Sequence, residues 1–426
     1  MSGDFLPVSV RGWTDQPRER RKRHGSDRTP ETRHVLVVDT ETTIDTAQAL
    51  TFGCYRYCYV DTAPDGQITV TTVAEGLIYA DDLPETDPDG YATLTDYVRT
   101  HEANVDLFYL GCEPDWRLRL YSRSEFIEQW INGVAYRDRW GKRVDREPAT
   151  LVMFNAPFDL SRLAGSASEA RDGSTAARFA GGFSLALSTN ADGNPVQWRP
   201  RVRVKSIDSK RSLKGFSALD KQTRFRGHFL DLRTLVFSLT GKSHSLASAC
   251  EAFGVQHGKI TAEEHGRITP DYIDYCRRDV QATAELYAKT TNEYARHPIS
   301  LQETKAYSPA SLSKSYLRSM GITPILDRMP DFPADVLGWA MSAFYGGRAE
   351  TFIRHTPVPV VVCDFTSMYP TVDALMNLWE FLTRDRVEAI DATENVQTLL
   401  DDHPRSMFRS RRVAGIRGNR SGHPRR

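Results

Sequence analysis

The sequence lacks the features of membrane-spanning and secreted proteins. It contains no apolar run of about 18 residues, so no membrane-spanning helix is predicted. Its first residues, MSGDFLPVSVRG, lack the basic start and the apolar block of a secretion signal. The six cysteines form no CxxC pair and lie mostly among apolar residues, which is typical of small core residues in a reducing compartment. We therefore expect a cytoplasmic protein without a membrane partner.

Net charge is also absent, because 55 basic residues balance 55 acidic ones. The basic residues are nevertheless concentrated in three segments, 17–24, 199–226 and 405–426, the last of which holds eight arginines and no acid. Such patches can face phosphates. A solvated surface or tail explains each patch equally well. We expect residues 1–33 to form a disordered basic arm and residues 401–426 an arginine-rich tail.

Apolar strands alternate with helical patterns along the chain, which favours an α/β fold over a helical bundle or a β-sandwich. The length allows about two or three domains. The main predicted strands are 34–39, 53–60, 67–74, 150–154 and a hairpin within 182–208, and the main predicted helices are 124–132, 245–254, 271–294 and 308–322. Ser124 is the expected cap of the first helix. A second region begins near residue 300, with a helix ending at the glycines of 341–350 and a strand over 357–370.

Acidic residues follow two predicted strands and lie on one predicted helix. Asp39 and Glu41 end the first strand, and Asp159 follows the strand at 150–154. Tyr275 and Asp279 are four positions apart and so share a helical face. If the sheet brings these groups together, they suit two-metal phosphodiester hydrolysis, because Mg²⁺ and Mn²⁺ prefer oxygen ligands. A tyrosine hydroxyl then orients the attacking water.

Each of these patterns has a structural explanation when it is taken alone. An Asp-x-Glu at a strand end is commonly a turn or a surface pair, and an asparagine after a strand, such as Asn155, is commonly a helix cap. Tyr-x-x-x-Asp is frequent on helices by chance. The joint occurrence of all three, in this order and in these contexts, is what favours a functional site.

These residues resemble the proofreading 3′→5′ exonuclease domain of family-B DNA polymerases, of the DEDDy type on a ribonuclease-H-like sheet. DTET at 39–42, NAPFD at 155–159 and YCRRD at 275–279 resemble its three motifs. The resemblance implies that four carboxylates, here named the carboxylate cluster, hold two Mg²⁺ or Mn²⁺ ions. The carboxylate cluster comprises Asp39, Glu41, Asp159 and Asp279. It also implies that Tyr275 positions the water and that Asn155 and Phe158 contact the 3′ end of the primer.

Within that family the protein-primed branch of viruses and linear plasmids is the most similar. Ser238-Leu239 resembles its (Ser/Thr)-Leu contact to single-stranded DNA, and Lys259 resembles a lysine that stabilises the scissile phosphate. The resemblance implies DNA as the partner, both as a single-stranded 3′ end and as a primer-template. A terminal protein and an oligonucleotide both stay open as the primer. Asp208 and Asp231, two further acids near strand ends, are expected to be structural.

A glycine pair in the second region resembles a polymerase loop. Tyr345, Gly346 and Gly347, followed by Arg348, resemble the YxGG element, although the spacing matches only if Phe344 and Tyr345 are its first two positions. The resemblance implies contact with the template strand, where glycines let backbone amides approach phosphates and the arginine adds charge. The alternative is a helix C-cap beside an unrelated arginine.

The heptad DFTSMYP at 364–370 resembles polymerase motif A, with Met368 in place of leucine. The resemblance implies that Asp364 binds the catalytic metals, that Phe365 contributes its carbonyl and that Tyr369 lies under the sugar of the incoming nucleotide. After this heptad the sequence departs from the family, because neither a DTD nor a KxxxNSxYG helix follows. One carboxylate cannot hold two metal ions. We therefore expect an incomplete palm, and the tail is typical of a truncated or frame-shifted reading frame.

The leading interpretation is the N-terminal part of a family-B DNA-directed DNA polymerase in which only the 3′→5′ exonuclease acts alone. The expected exonuclease domain spans 34–298 and the incomplete palm spans 299–400. Two alternatives stay open: a catalytically silent remnant that binds single-stranded DNA, and a stand-alone DEDD-type nuclease that trims RNA. The glycine pair and motif A disfavour the second alternative, because such nucleases do not need them.

Overall fold

The computed structural model describes the chain in segments. They are residues 32–106, 116–135, 147–170, 179–190, 192–217, 228–260, 265–342, 352–361, 363, 367–375 and 377–402. The described residues divide into two compact units, of which the first ends at Ser319 and the second begins at Met320. The glycine pair at 346–347, Arg348 and Asp364 lie outside the described residues.

The first unit contains two sheets. Its strands are β1 (His34–Thr42), β2 (Leu50–Thr62), β3 (Ile68–Tyr79), β4 (Arg119–Ser122), β5 (Ala149–Met153), β6 (Ser166–Glu169), β7 (Phe183–Ala186), β8 (Val202–Ser206), β9 (Ser212–Phe216) and β10 (Phe229–Asp231). Six of them form a mixed sheet in the order β10-β5-β1-β2-β3-β4. In this sheet β1, β2 and β3 are an antiparallel meander, and β5 and β10 continue parallel to β1. The second sheet is antiparallel, in the order β6-β7-β8-β9.

Helices of the first unit pack on the mixed sheet, and the described secondary structure of the second unit is helical. Those of the first unit are α1 (Leu83–Thr86), α2 (Pro88–Thr100), α3 (Arg123–Phe126), α4 (Asn132–Ala135), α5 (Ala156–Arg162), α6 (Leu232–Thr240), α7 (Leu246–Phe253), α8 (Pro270–Ala295) and α9 (Pro309–Ser319). A π-helical turn, Ile127–Ile131, joins α3 to α4, and a 3₁₀ turn, Glu303–Lys305, precedes α9. Those of the second unit are α10 (Ile325–Arg328), α11 (Ala334–Ser342), α12 (Met368–Leu375), α13 (Trp379–Thr383) and α14 (Thr393–Asp402). This mixture confirms the predicted α/β class.

Strand β1 is buried on both faces, which explains its continuous apolar run. Val35 and Val37 pack into the core cluster formed with α6, α7 and α8. Leu36 and Val38 pack into the opposite cluster, formed with α5 and the π-helical turn. Successive side chains of a strand point to opposite faces, so four consecutive apolar residues are buried only where both faces are covered. The central strand is thereby fixed between two layers of helices.

Cap residues set the ends of the helices near the carboxylates. Thr269 accepts from the backbone N–H of Tyr272 and begins α8, and Gly254, with φ of 62°, ends α7. The prediction that Ser124 caps the helix after β4 was wrong. Ser122 is the cap, in a capping box with Glu125, because a serine paired with a glutamate three residues later satisfies two backbone donors at once.

The predicted strand over 357–370 was wrong for the residues that the structure describes. Residues 357–361 form no strand, and Met368–Leu375 is helical. The side chains of Val360 and Val361 are 76% and 90% exposed. A strand needs a neighbour to take its backbone hydrogen bonds, and no described strand lies beside this segment. Among the described residues, no helix is both long and apolar enough to cross a bilayer.

Candidate active site

The parallel pairing of β1 with β5 brings two acidic segments to one edge of the sheet. The two strands pair from His34 with Ala149 to Val37 with Val152, and their carboxyl ends point the same way. Asp39 and Glu41 lie in β1 beyond the last residue that pairs with β5. Asp159 lies in α5, which begins directly after β5. Acids more than a hundred positions apart in the sequence therefore meet at this edge.

Helix α8 packs across β1 and β2 and carries the last carboxylate of the set. Tyr275, Cys276 and Asp279 all lie on its buried side. The thiol of Cys276 is 3.9 Å from Asp39 Oδ2, and the carboxylate of Asp279 contributes to the electrostatic environment of Asp39. The structure thus brings the four carboxylates near one another, and their role as metal ligands stays a prediction.

Hydrogen bonds orient two members of the cluster. The backbone N–H and the hydroxyl of Thr40 both donate to Asp159 Oδ1, at 3.2 and 2.8 Å. The hydroxyl of Tyr272 donates to Glu41 Oε2. These bonds hold one oxygen of each carboxylate in place. Because a carboxylate is planar and rigid, they also orient its second oxygen.

The donor atoms of the cluster fit a divalent cation. Ligand atoms of Asp39, Glu41 and Cys276 all lie within 4.8 Å of one another. Oδ1 of Asp279 is buried and has no hydrogen-bond partner among the described residues. A buried carboxylate oxygen without a partner is costly unless a cation or water satisfies it. Carboxylate oxygens are the ligands that Mg²⁺ and Mn²⁺ prefer, so the close pair Asp39 and Glu41 is suited to hold such an ion.

The electrostatics of the cluster point the same way. Burial, reinforced by the charges of Asp159, Glu41 and Asp279, raises the pKa of Asp39 well above its usual range. Burial also raises the pKa of Glu41 to about 7 and that of Asp159 to about 8. Crowded carboxylates stay ionised near neutral pH only if positive charge compensates them. The cluster therefore favours the binding of cations.

Lys259 supplies one positive charge to the site. Its Nζ lies 2.5 Å from Asp279 Oδ2 and 4.7 Å from the centre of the Tyr275 ring. Burial raises the pKa of Tyr275 to about 12, against the opposing effect of Lys259. The phenol is therefore protonated near neutral pH, so it can orient a water molecule by hydrogen bonding but is a poor general base.

A cavity of about 410 Å³ opens beside the carboxylates. Asp39, Asp279, Lys259 and Asn155 all line it. The backbone of Asn155 adopts the left-handed conformation, with φ of 79°, and its side chain makes no cap hydrogen bond to α5. Asparagine tolerates this conformation better than most residues. The helix-cap explanation of Asn155 is therefore wrong, because its amide makes no cap hydrogen bond.

Phe158 lies one helical position before Asp159 and is half-buried. The guanidinium of Arg162 lies 5.0 Å from the centre of its ring. This cation–π contact holds the ring near the edge of the site. The predicted contact of Asn155 and Phe158 with a primer end stays a prediction.

Ser238 and Leu239 are not grouped with the carboxylate cluster. Ser238 is 1% exposed, and its hydroxyl donates to the carbonyl of Leu235 within α6 at 2.8 Å. Leu239 lines a separate groove of about 480 Å³, together with Lys289 and Arg296. A buried hydroxyl that is already bonded to its own helix cannot contact DNA directly without a rotamer change. This placement speaks against a direct contact by Ser238.

The polymerase residues of the second region are mostly outside the described part of the chain. Tyr345, Gly346, Gly347, Arg348 and Asp364 all belong to this group. Tyr369 is described; it lies in α12 and is 65% exposed. The predicted roles of these residues in binding template, metal and nucleotide stay predictions.

The two acids that we expected to be structural make ordinary structural contacts. Asp208 pairs with Arg211 at 2.6 Å. Asp231 is buried and accepts from the hydroxyls of Ser212 and Thr234, and its Oδ1 also accepts from the backbone N–H of Asn155 at 3.1 Å. Asp231 thereby helps to hold Asn155 at the cavity.

Sequence reasoning missed Tyr272 and Cys276. Tyr272 lies three positions before Tyr275, so the helical period places both on one face of α8, and this signal was available. Cys276 is adjacent to Tyr275, and its proximity to Asp39 depends on how α8 crosses β1, which no local pattern specifies. Only the place of Cys276 beside Asp39 required the packing of α8 on β1.

Part of the chain matches a known protein family. Residues 246–380 match the family model described as DNA polymerase type B, organellar and viral. The matched segment is about a third of the chain; it includes Lys259, Tyr275 and Asp279 but begins after Asp39, Glu41 and Asp159. The match supports a family-B DNA polymerase and, with it, DNA binding and nucleotidyl transfer as the class of activity. No curated protein matches the chain.

Proposed function

We propose that the first unit is the 3′→5′ exonuclease of a family-B DNA polymerase and that it removes nucleotides from the 3′ end of single-stranded DNA. The observation that supports the proposal is the grouping of four carboxylates from β1, α5 and α8 around Asp39, beside a cavity that Asp39 and Asp279 line. The mixed sheet, with a meander on one side of β1 and parallel strands on the other, supports a ribonuclease-H-like arrangement.

The residues of the site have separate roles in hydrolysis. The carboxylate cluster would hold two Mg²⁺ or Mn²⁺ ions, which supply an activated water and stabilise the leaving oxygen when they are bound. Tyr275, protonated near neutral pH, orients the attacking water. Lys259 places an ammonium group at the wall of the cavity, where it can donate to a phosphate oxygen. Water attacks phosphorus, the bond from phosphorus to the 3′ oxygen of the preceding nucleotide breaks, and the 3′ oxygen takes a proton.

Asn155 and Phe158 define where the terminal nucleotide lies. The amide of Asn155 faces the cavity without a helix-cap bond, and it can therefore pair with a nucleotide. The ring of Phe158 offers a surface on which a base can stack. The proposal extends to the second unit, where Asp364 would bind the metals of polymerisation and Tyr369 the incoming nucleotide. We also propose a cytoplasmic location, which the cysteines predict.

The test is the degradation of a 5′-labelled single-stranded DNA by the purified chain with Mg²⁺ or Mn²⁺. We expect a ladder of products shortened from the 3′ end, and we expect Asp39→Ala and Asp279→Ala to abolish it. Asp96→Asn is the matched control, because Asp96 is an exposed acid that pairs with Arg99. An RNA strand of the same sequence tests the alternative of an RNA-trimming nuclease.

The outcomes separate the candidate functions. Absence of metal-dependent shortening by the intact chain contradicts the proposal. Salt-sensitive binding without hydrolysis would instead indicate a silent DNA-binding protein. Faster shortening of RNA than of DNA would indicate the RNA-trimming alternative.

A further inference from the structure

A second cavity adjoins the one beside the carboxylates. It has a volume of about 340 Å³ and lies against the turn between β8 and β9. Asn155 and Arg233 line both cavities, so the two are adjacent at these residues. Lys210 and Arg211 line the second cavity but not the first. A strand whose end lay at the carboxylates would find an exit path here.

Two acids, Asp208 and Asp231, line the second cavity together with three basic residues, Lys210, Arg211 and Arg233. Two of its four nearby cations are paired, since Lys214 lies 3.4 Å from Asp231 and Arg211 lies 2.6 Å from Asp208. Lys210 lies 5.2 Å from the centre of the Phe237 ring, and among the described residues no carboxylate pairs with it. This arrangement leaves its ammonium available to a ligand.

Arg233 is the second available cation. Its Nε is buried and has no hydrogen-bond partner in the described part of the chain. A buried guanidinium N–H without an acceptor is costly, and a phosphate oxygen is an acceptor that its fork geometry suits. Because Arg233 lines both cavities, a phosphate oxygen bound to it would belong to the part of the strand next to the nucleotide at the carboxylates.

We propose that Arg233 and Lys210 form a subsite for the backbone phosphates of the single-stranded DNA that precede the 3′-terminal nucleotide. The subsite, here named the cationic pocket, is defined by Arg233, Lys210 and Asn155. The inference rests on the proposed function, because it assumes that a 3′ end lies at the carboxylate cluster. It assigns the path of the strand, which the exonuclease chemistry alone does not specify.

The groove at Leu239 is the competing path. It is also basic, with Lys289 and Arg296 in its wall, but it shares no lining residue with the cavity beside the carboxylates. The cationic pocket shares two lining residues, Asn155 and Arg233, with that cavity. Continuity with the reaction site therefore favours the cationic pocket, and the cations of the groove provide matched controls.

The experiment measures the binding of fluorescein-labelled oligothymidylates by the full chain in EDTA, which prevents hydrolysis. A strand of eight nucleotides is compared with a dinucleotide, over a series of salt concentrations. We expect Arg233→Gln with Lys210→Gln to weaken binding of the longer strand several-fold and to reduce the log–log salt slope by about 0.7 per lost phosphate contact. Binding of the dinucleotide should change little.

Controls keep the inference separable from the proposed function. Lys289→Gln with Arg296→Gln should leave both affinities unchanged, and Lys210→Gln alone, at an exposed turn, serves if the Arg233 variant does not fold. Unchanged affinity and slope in the pocket variant, or a loss in the groove variant instead, would overturn the cationic pocket while the exonuclease stands. Failure of the unmodified chain to bind any strand in EDTA would also overturn the cationic pocket, and the shortening of labelled DNA with Mg²⁺ or Mn²⁺ would then decide the exonuclease by itself.

Discussion

The carboxylate of Glu41 accepts a hydrogen bond on Oε2 from the hydroxyl of Tyr272. The ring of Tyr272 is held edge-on by Phe52, at 5.2 Å between centroids, so the hydroxyl has little freedom. Partners that orient a ligand from behind contribute strongly to metal affinity. Tyr272 is therefore a positioning residue for Glu41 in the proposed metal site.

Tyr272→Phe removes one oxygen atom and keeps the ring contacts, so the fold should persist while Glu41 loses its orientation. We expect the affinity for Mn²⁺ to fall about tenfold or more, as measured by calorimetry on the DNA-free chain. Tyr287→Phe, at another buried tyrosine of α8, is the matched control. Equal affinities for Mn²⁺ in the parent and in Tyr272→Phe would show that Tyr272 is only a packing residue.

Asp159 makes the stability of the metal-free chain depend on pH. Burial raises its pKa from 3.8 to about 8, so the folded state retains a proton that the unfolded state releases. The contribution of protonated Asp159 to the free energy of unfolding is therefore complete below about pH 4 and is lost as the pH rises towards 8. This is the opposite of the usual carboxylate case. We expect Asp159→Asn to flatten this decline in melting temperature between pH 5 and pH 8. A decline of equal steepness in both proteins would contradict the assignment.

At the scale of elements, α8 is tied to the sheet by buried charges. Glu75 of β3 accepts from Arg56 of β2 at 3.0 Å and from Arg277 of α8 at 2.7 Å, and all three side chains are almost fully buried. Arg277 lies between Tyr275 and Asp279, so this ion-pair network sets how the helix presents them. Removing one member of a buried ion-pair network leaves the others uncompensated.

Glu75→Gln should therefore destabilise the first unit by about 3 to 5 kcal/mol, measured by chemical denaturation. Glu293→Gln is the matched control, because Glu293 lies on the same helix but pairs with Arg296 at the exposed surface, where a salt bridge is worth about 1 kcal/mol or less. If both substitutions cost the same small amount, the buried network does not anchor α8.

The elements around the site were largely predictable, and their contacts were not. β1, β5, α7 and α8 follow from apolar runs and cap residues, which act locally. The Tyr272–Glu41 bond joins residues 231 positions apart, and the support of Asn155 by Asp231 depends on β10 lying beside β5. Local patterns contain no information on such distances. The same limit explains the wrong strand over 357–361, where apolar composition alone does not supply a partner strand.

At the scale of the whole molecule, the first unit includes a segment that we had assigned to the second region. The sequence placed the end of the exonuclease domain at 298, whereas the compact unit extends to Ser319. Helix α9 packs on α6, with Leu312 and Ser315 buried. Tyr316 and His297 are also joined by a hydrogen bond of 2.6 Å across this boundary.

Two shortened chains test which boundary is the functional one. A chain that stops after Ser319 keeps the carboxylate cluster, both core clusters and the packing of α9 on α6, so it should melt cooperatively and should retain 3′ shortening of DNA. A chain that stops after Pro298 loses Leu312 from the core, and burial of a leucine is worth about 1.5 to 3 kcal/mol, so it should melt at a lower temperature. Thermal unfolding followed by circular dichroism compares them directly. If the two chains melted at the same temperature, α9 would contribute nothing to the exonuclease unit, and a boundary at 298 would describe the molecule as well as one at 319.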